Sequence, residues 1–373
     1  MTSTTEQQRV NRLVPTACLV GPIVARPQTT KTSARGPARR NVWFGILVFI
    51  GFQVAAGVAI ERDWWPIADP IYTEKAELIR EQKAFFAAQS SSQRVLAMGS
   101  SRTQLAFDAH RFMAGLTSVE TIAFNFGTPG GGPVTCRLYW QRLREEGVRA
   151  EAVFVEVHPA LWCEFEEPFE ARWLQPYRLR HGEPERLRAL GWNFADPSHF
   201  GFQAKLSSTA SYRMGLLNRH WPTMLPARHG LTIGAKNDDL GYVNGIAIPE
   251  KNRPRAFLHS KAEYGPCFPA PPPGGSALVA VRTLLGEIQQ SGAEAILLVM
   301  PEALEMRSWY GPHHPAELAI CLAALQREFG VSLIDGRDWV DDEHFVDGHH
   351  LCAKGAVQFT DRLIAAINAR GTR

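Results

Sequence analysis

Five short apolar runs separated by helical patterns constrain the fold of this 373-residue chain more than any other feature. Each run is short enough for a buried strand, and apolar residues recur at helical spacing between them. This alternation predicts an α/β three-layer sandwich with a mostly parallel five-stranded sheet. The expected strands are Val95–Met98, Val119–Phe124, Ala152–Val157, Ala295–Met300 and Val331–Ile334.

Helical periodicity also marks the segments that should cover this sheet. The expected helices are Tyr72–Gln89, Cys136–Glu146, Ala277–Gln290, Ala316–Phe329 and Ala356–Ala369. A long stretch rich in aromatic residues and proline, about residues 161–276, separates the third and fourth strands. No loop of that length belongs in a bare sheet, so we expect an insertion within one domain that spans residues 92–373.

Residues 41–60 (NVWFGILVFIGFQVAAGVAI) contain no charged side chain. As a helix this run is about 30 Å long, enough to cross the hydrocarbon core of a bilayer. A core helix would show a polar face, and only Gln53 interrupts the run; a cleaved signal peptide is the other alternative. We expect a retained transmembrane helix, with Trp43 at one interface and Trp64 and Trp65 near the other. Residues 61–91 are expected to form a juxtamembrane helix or linker.

The charge distribution predicts the orientation of this helix. Residues 1–40 lack apolar periodicity and are expected to be a disordered tail. The tail has a single acid and the following seven basic residues: Arg9, Arg12, Arg26, Lys31, Arg35, Arg39 and Arg40. Positive flanks stay in the cytoplasm, so we expect a single-pass inner-membrane protein whose main domain is periplasmic or extracytoplasmic. The remaining chain has a net charge of about −3 and no basic stripe, which argues against nucleic acid as a partner.

The six cysteines show no CxxC or metal-ligand spacing, so no metal or cofactor is expected. If the main domain is exported, a disulfide is allowed, and Cys163 with Cys267 is the first pair to test. Buried free thiols are the alternative.

A serine and a histidine far apart in the sequence are the candidate catalytic residues. Ser101 follows the first strand, at the carboxyl edge of the sheet where open α/β folds bind ligands. A serine hydroxyl needs a base, and His350 could take its proton while Asp347 holds the imidazole tautomer. Ser101 could instead cap the following helix, and Ser100 is a competing nucleophile. The pattern favours acyl chemistry.

The turn after the second strand, Asn125-Phe126-Gly127-Thr128-Pro129-Gly130, could supply donors to a negatively charged oxygen. Acyl transfer needs fixed N–H groups, and glycine lets the backbone approach closely. We nominate the N–H groups of Ser101 and Gly130, with Gly127 as the alternative. A flexible turn or a phosphate-binding loop is the competing interpretation, although the Lys-Ser/Thr ending of a P-loop is missing.

Other polar residues near these turns are candidates for substrate contact: Arg102, Asn125, Glu156 and His158. The aromatic residues of the insertion could line a saccharide groove or could pack a core. They include Trp162, Trp173, Tyr177, Trp192 and Trp221. Histidines and acids around residues 341–349 could bind a cation, but an exposed acidic loop is the expected structure.

These motifs resemble those of the GDSL/SGNH hydrolase superfamily, whose fold is flavodoxin-like, over roughly residues 92–160 and 292–370. Gly99-Ser100-Ser101 is similar to its Gly-Asp-Ser block, with Ser100 in place of the usual aspartate. Asn125 to Gly130 resembles the second block, and Asp347-Gly348-His349-His350 matches the last. The third block, Gly-x-Asn-Asp, is missing, since the strand ends Glu156-Val157-His158-Pro159.

The resemblance is strongest to the membrane-anchored, exported branch that includes the D-alanyl-lipoteichoic acid transfer protein and the alginate O-acetylation proteins. It implies Ser101, His350 and Asp347 as a triad and Gly130 as an oxyanion donor. It further implies O-acetyl transfer to or from a cell-envelope or extracellular polysaccharide, with a membrane-bound acyl-donor partner. Because the third-block asparagine is missing, a non-catalytic envelope scaffold with the same fold is the alternative.

Overall fold

The computed structural model describes residues 35–62, 64–65, 67–117, 120–163, 169–175, 178–180, 182–192, 208–225, 236–268 and 273–371. The expectations for the tail before residue 35, for Cys18 and for Tyr177 lie outside the described residues. The chain divides into two compact units, residues 1–48 and 49–373.

All five described strands form one parallel sheet in the order β2-β1-β3-β4-β5. The strands are β1 (Gln93–Gly99), β2 (Thr121–Gly127), β3 (Ala152–Val157), β4 (Glu294–Val299) and β5 (Ser332–Asp335). The predicted α/β class with a five-stranded sheet is confirmed, and this sheet is wholly rather than mostly parallel. Strand β4 is buried from Ala295 to Val299 and reads as a continuous apolar run, as expected where helices cover both faces of a sheet.

The helices of the structure alternate with these strands or lie in the insertion. They are α1 (Arg35–Glu61), α2 (Pro70–Glu81), α3 (Ser101–Ala106), α4 (Ala109–Gly115), α5 (Pro133–Glu145), α6 (Pro159–Trp162), α7 (Glu183–Arg188), α8 (Ser208–Ser211), α9 (Arg213–His220), α10 (Arg253–Tyr264), α11 (Gly275–Gln290), α12 (Leu304–Ser308), α13 (His314–Phe329) and α14 (Ala353–Gly371). Short 3-10 helices include Lys83–Phe86, Phe169–Arg172 and Pro222–Met224.

The helices form two groups around the sheet. Helices α3 and α4 both contact α14, whereas α5 contacts α11 and α11 contacts α13. The chain moves from β1 to β2 in one direction and from β2 across β1 to β3 in the other, so right-handed crossovers place the two groups on opposite faces. This order, 2-1-3-4-5, has its topological switch point between β1 and β3. A crevice is therefore expected at the carboxyl ends of these two strands.

The stretch between β3 and β4 leaves and rejoins the sheet domain at one place. Cys163 and Pro273 form an isolated antiparallel bridge, and the Gly274 N–H donates to the Trp162 carbonyl at 3.1 Å. Cys163 and Cys267 are both free thiols, so the disulfide considered from the sequence is absent from the described residues. Burial raises the pKa of Cys163 to about 12 and that of Cys267 to about 11, which keeps both thiols protonated.

Helix α1 contains the uncharged run of residues 41–60. It is the one helix among the described residues that is long and apolar enough to cross a membrane, over Arg39–Ile60. The helix extends beyond the predicted run at both ends because the flanking residues continue its hydrogen-bonded backbone.

Helix α2 is attached to the sheet domain by a buried ionic network. Its N-cap, Asp69, accepts hydrogen bonds from the Arg178 guanidinium at 3.0 Å, the Arg142 guanidinium at 3.0 Å and the Tyr139 hydroxyl at 2.8 Å. Glu183 of α7 pairs with Arg142 at 2.7 Å. Burial alone would raise the pKa of Asp69, but the two arginine charges hold it below its usual value. The network therefore joins four segments through buried charges.

Candidate active site

Ser101 lies at the first residue of α3, immediately after β1. Ser100 is the N-cap, and its hydroxyl accepts a hydrogen bond from the Arg102 N–H at 3.1 Å. Gly99 must be glycine here, because a Cβ would lie 2.2 Å from a carboxyl oxygen of Glu156. The tight turn places the Ser101 side chain at the switch point of the sheet.

His350 lies on a turn that Asp347 and Gly348 shape. Gly348 adopts a φ of 99°, in the left-handed region that favours glycine. This turn allows the Asp347 carboxylate to accept hydrogen bonds from the backbone N–H groups of His350 at 2.9 Å and His349 at 3.3 Å. Beyond the turn, the Val346 N–H donates to the His350 carbonyl at 2.9 Å. Backbone bonds on both sides thus fix the position of the imidazole.

The fold brings Ser101 and His350 together although 249 positions separate them. The Ser101 Oγ and the His350 Nε2 are 2.7 Å apart, and the His350 Nδ1 is 2.7 Å from a carboxylate oxygen of Asp347. The carboxylate favours the tautomer in which Nδ1–H donates to Asp347 and Nε2 accepts from the serine hydroxyl. The His350 and Asp347 side chains are 16% and 14% exposed, so this edge of the site is open to solvent.

The charge of Asp347 is stabilised within this arrangement. Burial would raise its pKa, but the charges of His350 and His349 and the hydrogen bonds from His350 hold the pKa well below its usual value. An ionised carboxylate next to Nδ1 favours an imidazolium when the ring takes a proton. The three side chains can therefore act as nucleophile, base and charge stabiliser.

Glu156 organises the turn that carries Ser101. One of its carboxyl oxygens accepts hydrogen bonds from the Ser100 N–H at 2.7 Å and the Thr103 hydroxyl at 2.6 Å, and the other accepts from the Ser100 hydroxyl at 2.7 Å. Ser100, the competing nucleophile of the sequence analysis, is 2% exposed and is bonded to Glu156 rather than to His350. These contacts favour a positioning role for Glu156 over substrate contact.

We expect Glu156→Gln to lower kcat for ester hydrolysis by up to about 10²-fold while KM changes little. The amide can no longer accept from all of its present donors, so the Ser101 turn should shift relative to His350. Steady-state kinetics of the full-length protein in detergent would measure this, with the exposed Glu120→Gln as the control. A Glu156→Gln protein with unchanged kcat would show that the turn holds its position without this carboxyl.

The glycine turn lies beside Ser101 because β1 and β2 pair in parallel and end at the same edge of the sheet, with Gly99 opposite Gly127. The Thr128 N–H donates to the Gly99 carbonyl at 2.9 Å. The Gly127 N–H already donates to the Asn125 side chain at 2.9 Å, which leaves Gly130 as the stronger of the two candidate donors. Gly130 has a φ of 65°, so the chain turns sharply at this residue.

Two residues of the insertion hold this glycine turn, and sequence analysis assigned no such role to them. A Cβ on Gly130 would lie 2.0 Å from the Trp173 ring, so the indole lies directly against the turn. The buried Glu170 carboxylate accepts from the N–H groups of Gly132 at 3.0 Å and Thr135 at 2.6 Å, at the start of α5. Burial raises the pKa of Glu170 above its usual value, and the hydrogen bonds from these N–H groups at the helix N-terminus oppose that shift. The insertion therefore supports the turn that carries Gly130.

Arg102 and Asn125 are buried and bonded to the protein backbone. The Arg102 side chain is 1% exposed, and its Nη2 donates to the carbonyls of Met300 at 3.0 Å and Pro301 at 2.8 Å. The Asn125 amide donates to the carbonyls of Thr103, at 2.9 Å, and of other residues in α3 and its C-cap. Arg102 thus attaches α3 to the segment after β4, and Asn125 attaches α3 to β2, which favours structural roles over substrate contact.

His158 and His349 form a buried aromatic layer beneath the site. The His158 ring stacks on Tyr264 of α10 at 5.6 Å, and Tyr264 contacts His349 at 4.7 Å. His349 in turn lies 3.9 Å from the His350 ring. Burial, with the nearby charge of His350, lowers the pKa of His349 to about 3, and burial also lowers that of His158. Both rings are therefore neutral and pack beneath His350.

The turn that carries His350 also brings together three side chains that could bind a cation. Ligand atoms of Asp347, His349 and His350 lie within 4.8 Å of one another. However, the two ring nitrogens of His350 face Asp347 and Ser101, so a metal here would replace the contacts described above. The hydrogen-bonded arrangement favours acyl chemistry at this turn.

Comparisons with known proteins give only remote similarities. No protein-family model matches the chain, and no curated protein matches it. Among solved structures, a protein from Bacteroides fragilis described as an acylhydrolase is 12% identical, with a TM-score of 0.36, over 78% of this chain and 94% of that chain. A carbohydrate acetylesterase from Sinorhizobium meliloti is 10% identical, with a TM-score of 0.32, over 75% of this chain and all of that chain. The activity of this chain must therefore be argued from its own geometry.

Proposed function

We propose that this protein is a membrane-anchored serine esterase or O-acyltransferase. The observation that supports this proposal is the pair of 2.7 Å contacts that join Ser101, His350 and Asp347. In the reaction, His350 takes the proton of the Ser101 hydroxyl while the serine oxygen attacks an ester carbonyl. His350 then gives this proton to the departing alcohol, which leaves an acyl group on Ser101.

The second half of the reaction repeats these steps with a new nucleophile. Water or a hydroxyl of an acceptor loses its proton to His350 and attacks the acyl group on Ser101. The negative oxygen in both steps would be stabilised by the N–H groups of Ser101 and Gly130, a donor of this kind being worth about 3 kcal/mol of barrier. The first turn of α3 supports this role, because a helix's first N–H groups have no partner inside the helix.

We propose that α1 spans a membrane, with the tail before it in the cytoplasm and the domain outside. The length and composition of α1 support the span, and the basic residues before residue 41 support the orientation. An inner-membrane location with a periplasmic domain is the environment that these features favour. The lipid bilayer would then be a permanent partner of the protein.

The acceptor that we propose is a cell-envelope or extracellular polysaccharide, and the acyl group is acetyl. The resemblance of the sequence motifs to the anchored SGNH branch supports this substrate class and a membrane-bound donor protein. Of the aromatic residues considered for a saccharide groove, Trp162 and Trp192 are buried in the core, whereas Trp173 is partly exposed beside Gly130. Trp173 is therefore the residue best placed to stack on a sugar.

A serine-directed fluorophosphonate probe tests the proposal on the full-length protein in detergent. We expect the wild type and Ser100→Ala to be labelled and Ser101→Ala to remain unlabelled, because Ser101, unlike the buried Ser100, contacts the His350 imidazole. Ser100→Ala is a matched control from the same turn. A wild type that is folded but not labelled would support the alternative, a non-catalytic envelope scaffold with this fold.

A further inference from the structure

The end of α1 has two different faces. Gln53, Ala56, Gly57 and Ile60 are buried at helical spacing, whereas Phe52 on the opposite side is 55% exposed. The buried stripe is covered by residues of the insertion. The protein body therefore packs along the last two turns of the helix, on one side only.

The cover is helix α8 with Tyr212, the N-cap of α9. The Gln53 side-chain oxygen accepts hydrogen bonds from the Thr209 N–H at 2.9 Å and the Thr209 hydroxyl at 3.1 Å. A Cβ on Gly57 would lie 2.4 Å from the Ser208 hydroxyl oxygen, so a larger residue here would displace this hydroxyl. Ile60 packs with Tyr212 in a small apolar cluster. Small residues and a hydrogen bond between helices are the means by which helices associate in lipid.

The length of the uncharged run determines the depth of this contact. Residues 41–60 as a helix are about 30 Å long, roughly the thickness of the hydrocarbon core. If the span ended before Gln53, the remaining residues would cover only about 18 Å. A spanning α1 therefore needs its last two turns in the bilayer, and α8, which lies beside Gln53 and Gly57, must enter the bilayer with them.

The surface next to the end of α1 has the composition of a membrane interface. Trp64 and Trp221 are 71% and 56% exposed, unlike most aromatic side chains of the domain, and the nearby Met224 is 69% exposed. The Arg62 guanidinium lies over the Trp64 ring at 5.6 Å. Tryptophan is enriched at the headgroup level, where its ring is apolar and its N–H is solvated.

We propose that residues 208–225 form a membrane-interface element, in which α8 enters the bilayer beside α1 and Trp221 to Met224 lie among the phospholipid headgroups. This inference rests on the proposed span of α1, not on the chemistry of Ser101. A second contact with the bilayer, in addition to α1, prevents the domain from rotating freely about its anchor. The Ser101 site would then face a fixed direction relative to the membrane surface.

Photolabelling of the full-length protein in phosphatidylcholine vesicles tests this proposal. A phosphatidylcholine with a diazirine in its acyl chain is activated, and adducts are located in tryptic peptides. We expect adducts in α1, in residues 206–213 and in residues 220–228. The matched control is Leu258 of α10, which is 66% exposed but belongs to the body and should carry no adduct.

The outcomes separate this inference from the proposed function. Adducts in α1 without adducts in residues 206–228 would overturn the inference and leave the anchor intact, whereas labelling of neither segment would overturn both. Equal labelling of the Leu258 peptide would also overturn it.

Trp221→Ser with Met224→Ser should lower the labelling of residues 220–228 at least fivefold, and Leu258→Ser should not. Ester hydrolysis in the same vesicles reports separately on Ser101.

Discussion

Replacing His350 with alanine is expected to lower kcat/KM for p-nitrophenyl acetate hydrolysis by about 10³- to 10⁶-fold. Without the imidazole 2.7 Å from its oxygen, the Ser101 hydroxyl keeps its proton and attacks the ester poorly. Asp347→Asn should lower the same constant by about 10⁴-fold, because the amide favours the wrong tautomer of His350. The measurement is steady-state hydrolysis by the full-length protein in detergent.

His344→Ala is the matched control for this experiment. His344 lies on the segment that precedes the His350 turn and is not bonded to Ser101, so its loss should leave kcat/KM within a few-fold of the wild type. The thermal midpoints of all variants should be compared, since a variant that unfolds also loses activity. A folded His350→Ala protein with wild-type kinetics would remove His350 from the mechanism.

Replacing Asp69 with alanine is expected to lower the free energy of unfolding by about 3–5 kcal/mol. The change removes a carboxylate that pairs with the buried guanidinium groups of Arg178 and Arg142, in a site where water is excluded. It also removes the cap of α2, the helix that follows α1. Urea unfolding of the full-length protein in detergent, followed by circular dichroism, measures the loss.

The same network predicts the direction of the pH dependence. The pKa of Asp69 is lower in the folded protein than in the unfolded chain, so its stabilising contribution is complete above the unfolded value and is lost as the pH falls through the folded value.

Asp361→Ala removes a half-exposed pair with Arg111 and should cost less than about 1 kcal/mol. Similar losses for Asp69→Ala and Asp361→Ala would show that the buried network does not stabilise the fold.

Much of the fold could be predicted from the sequence, because strands of a sheet that is covered on both faces appear as short apolar runs. The run Ala152–Val157 was predicted with the bounds that β3 has in the structure, and the other strands differ by a few residues at their ends. Strand order could not be predicted from these runs, since it depends on the direction of each crossover. Helix α2 ends earlier than the periodicity of Tyr72–Gln89 suggested, because a 3-10 helix at Lys83–Phe86 turns the chain.

Part of the candidate site could be predicted from the sequence, because its turns follow strands that end at the carboxyl edge of the sheet. Residue type and the resemblance allowed Ser101 to be paired with His350. The distance between the two side chains could not be predicted from the sequence. Arg102 and Glu156 looked available to substrate because a sequence does not show which polar groups bond to the protein itself. Glu170 gave no signal, and Trp173 was considered only for a saccharide groove, because the sequence does not show that both side chains contact the glycine turn.

The central claim is that Ser101 becomes covalently acylated with the help of His350. The direct measurement is mass spectrometry of the full-length protein quenched in acid within its first turnover of p-nitrophenyl acetate. Trypsin should release Val95–Arg102, which contains both serines of the turn, and fragment ions distinguish them. We predict one acetyl group on Ser101. An acetyl group on Ser100, or no adduct while p-nitrophenol is still released, would contradict the account.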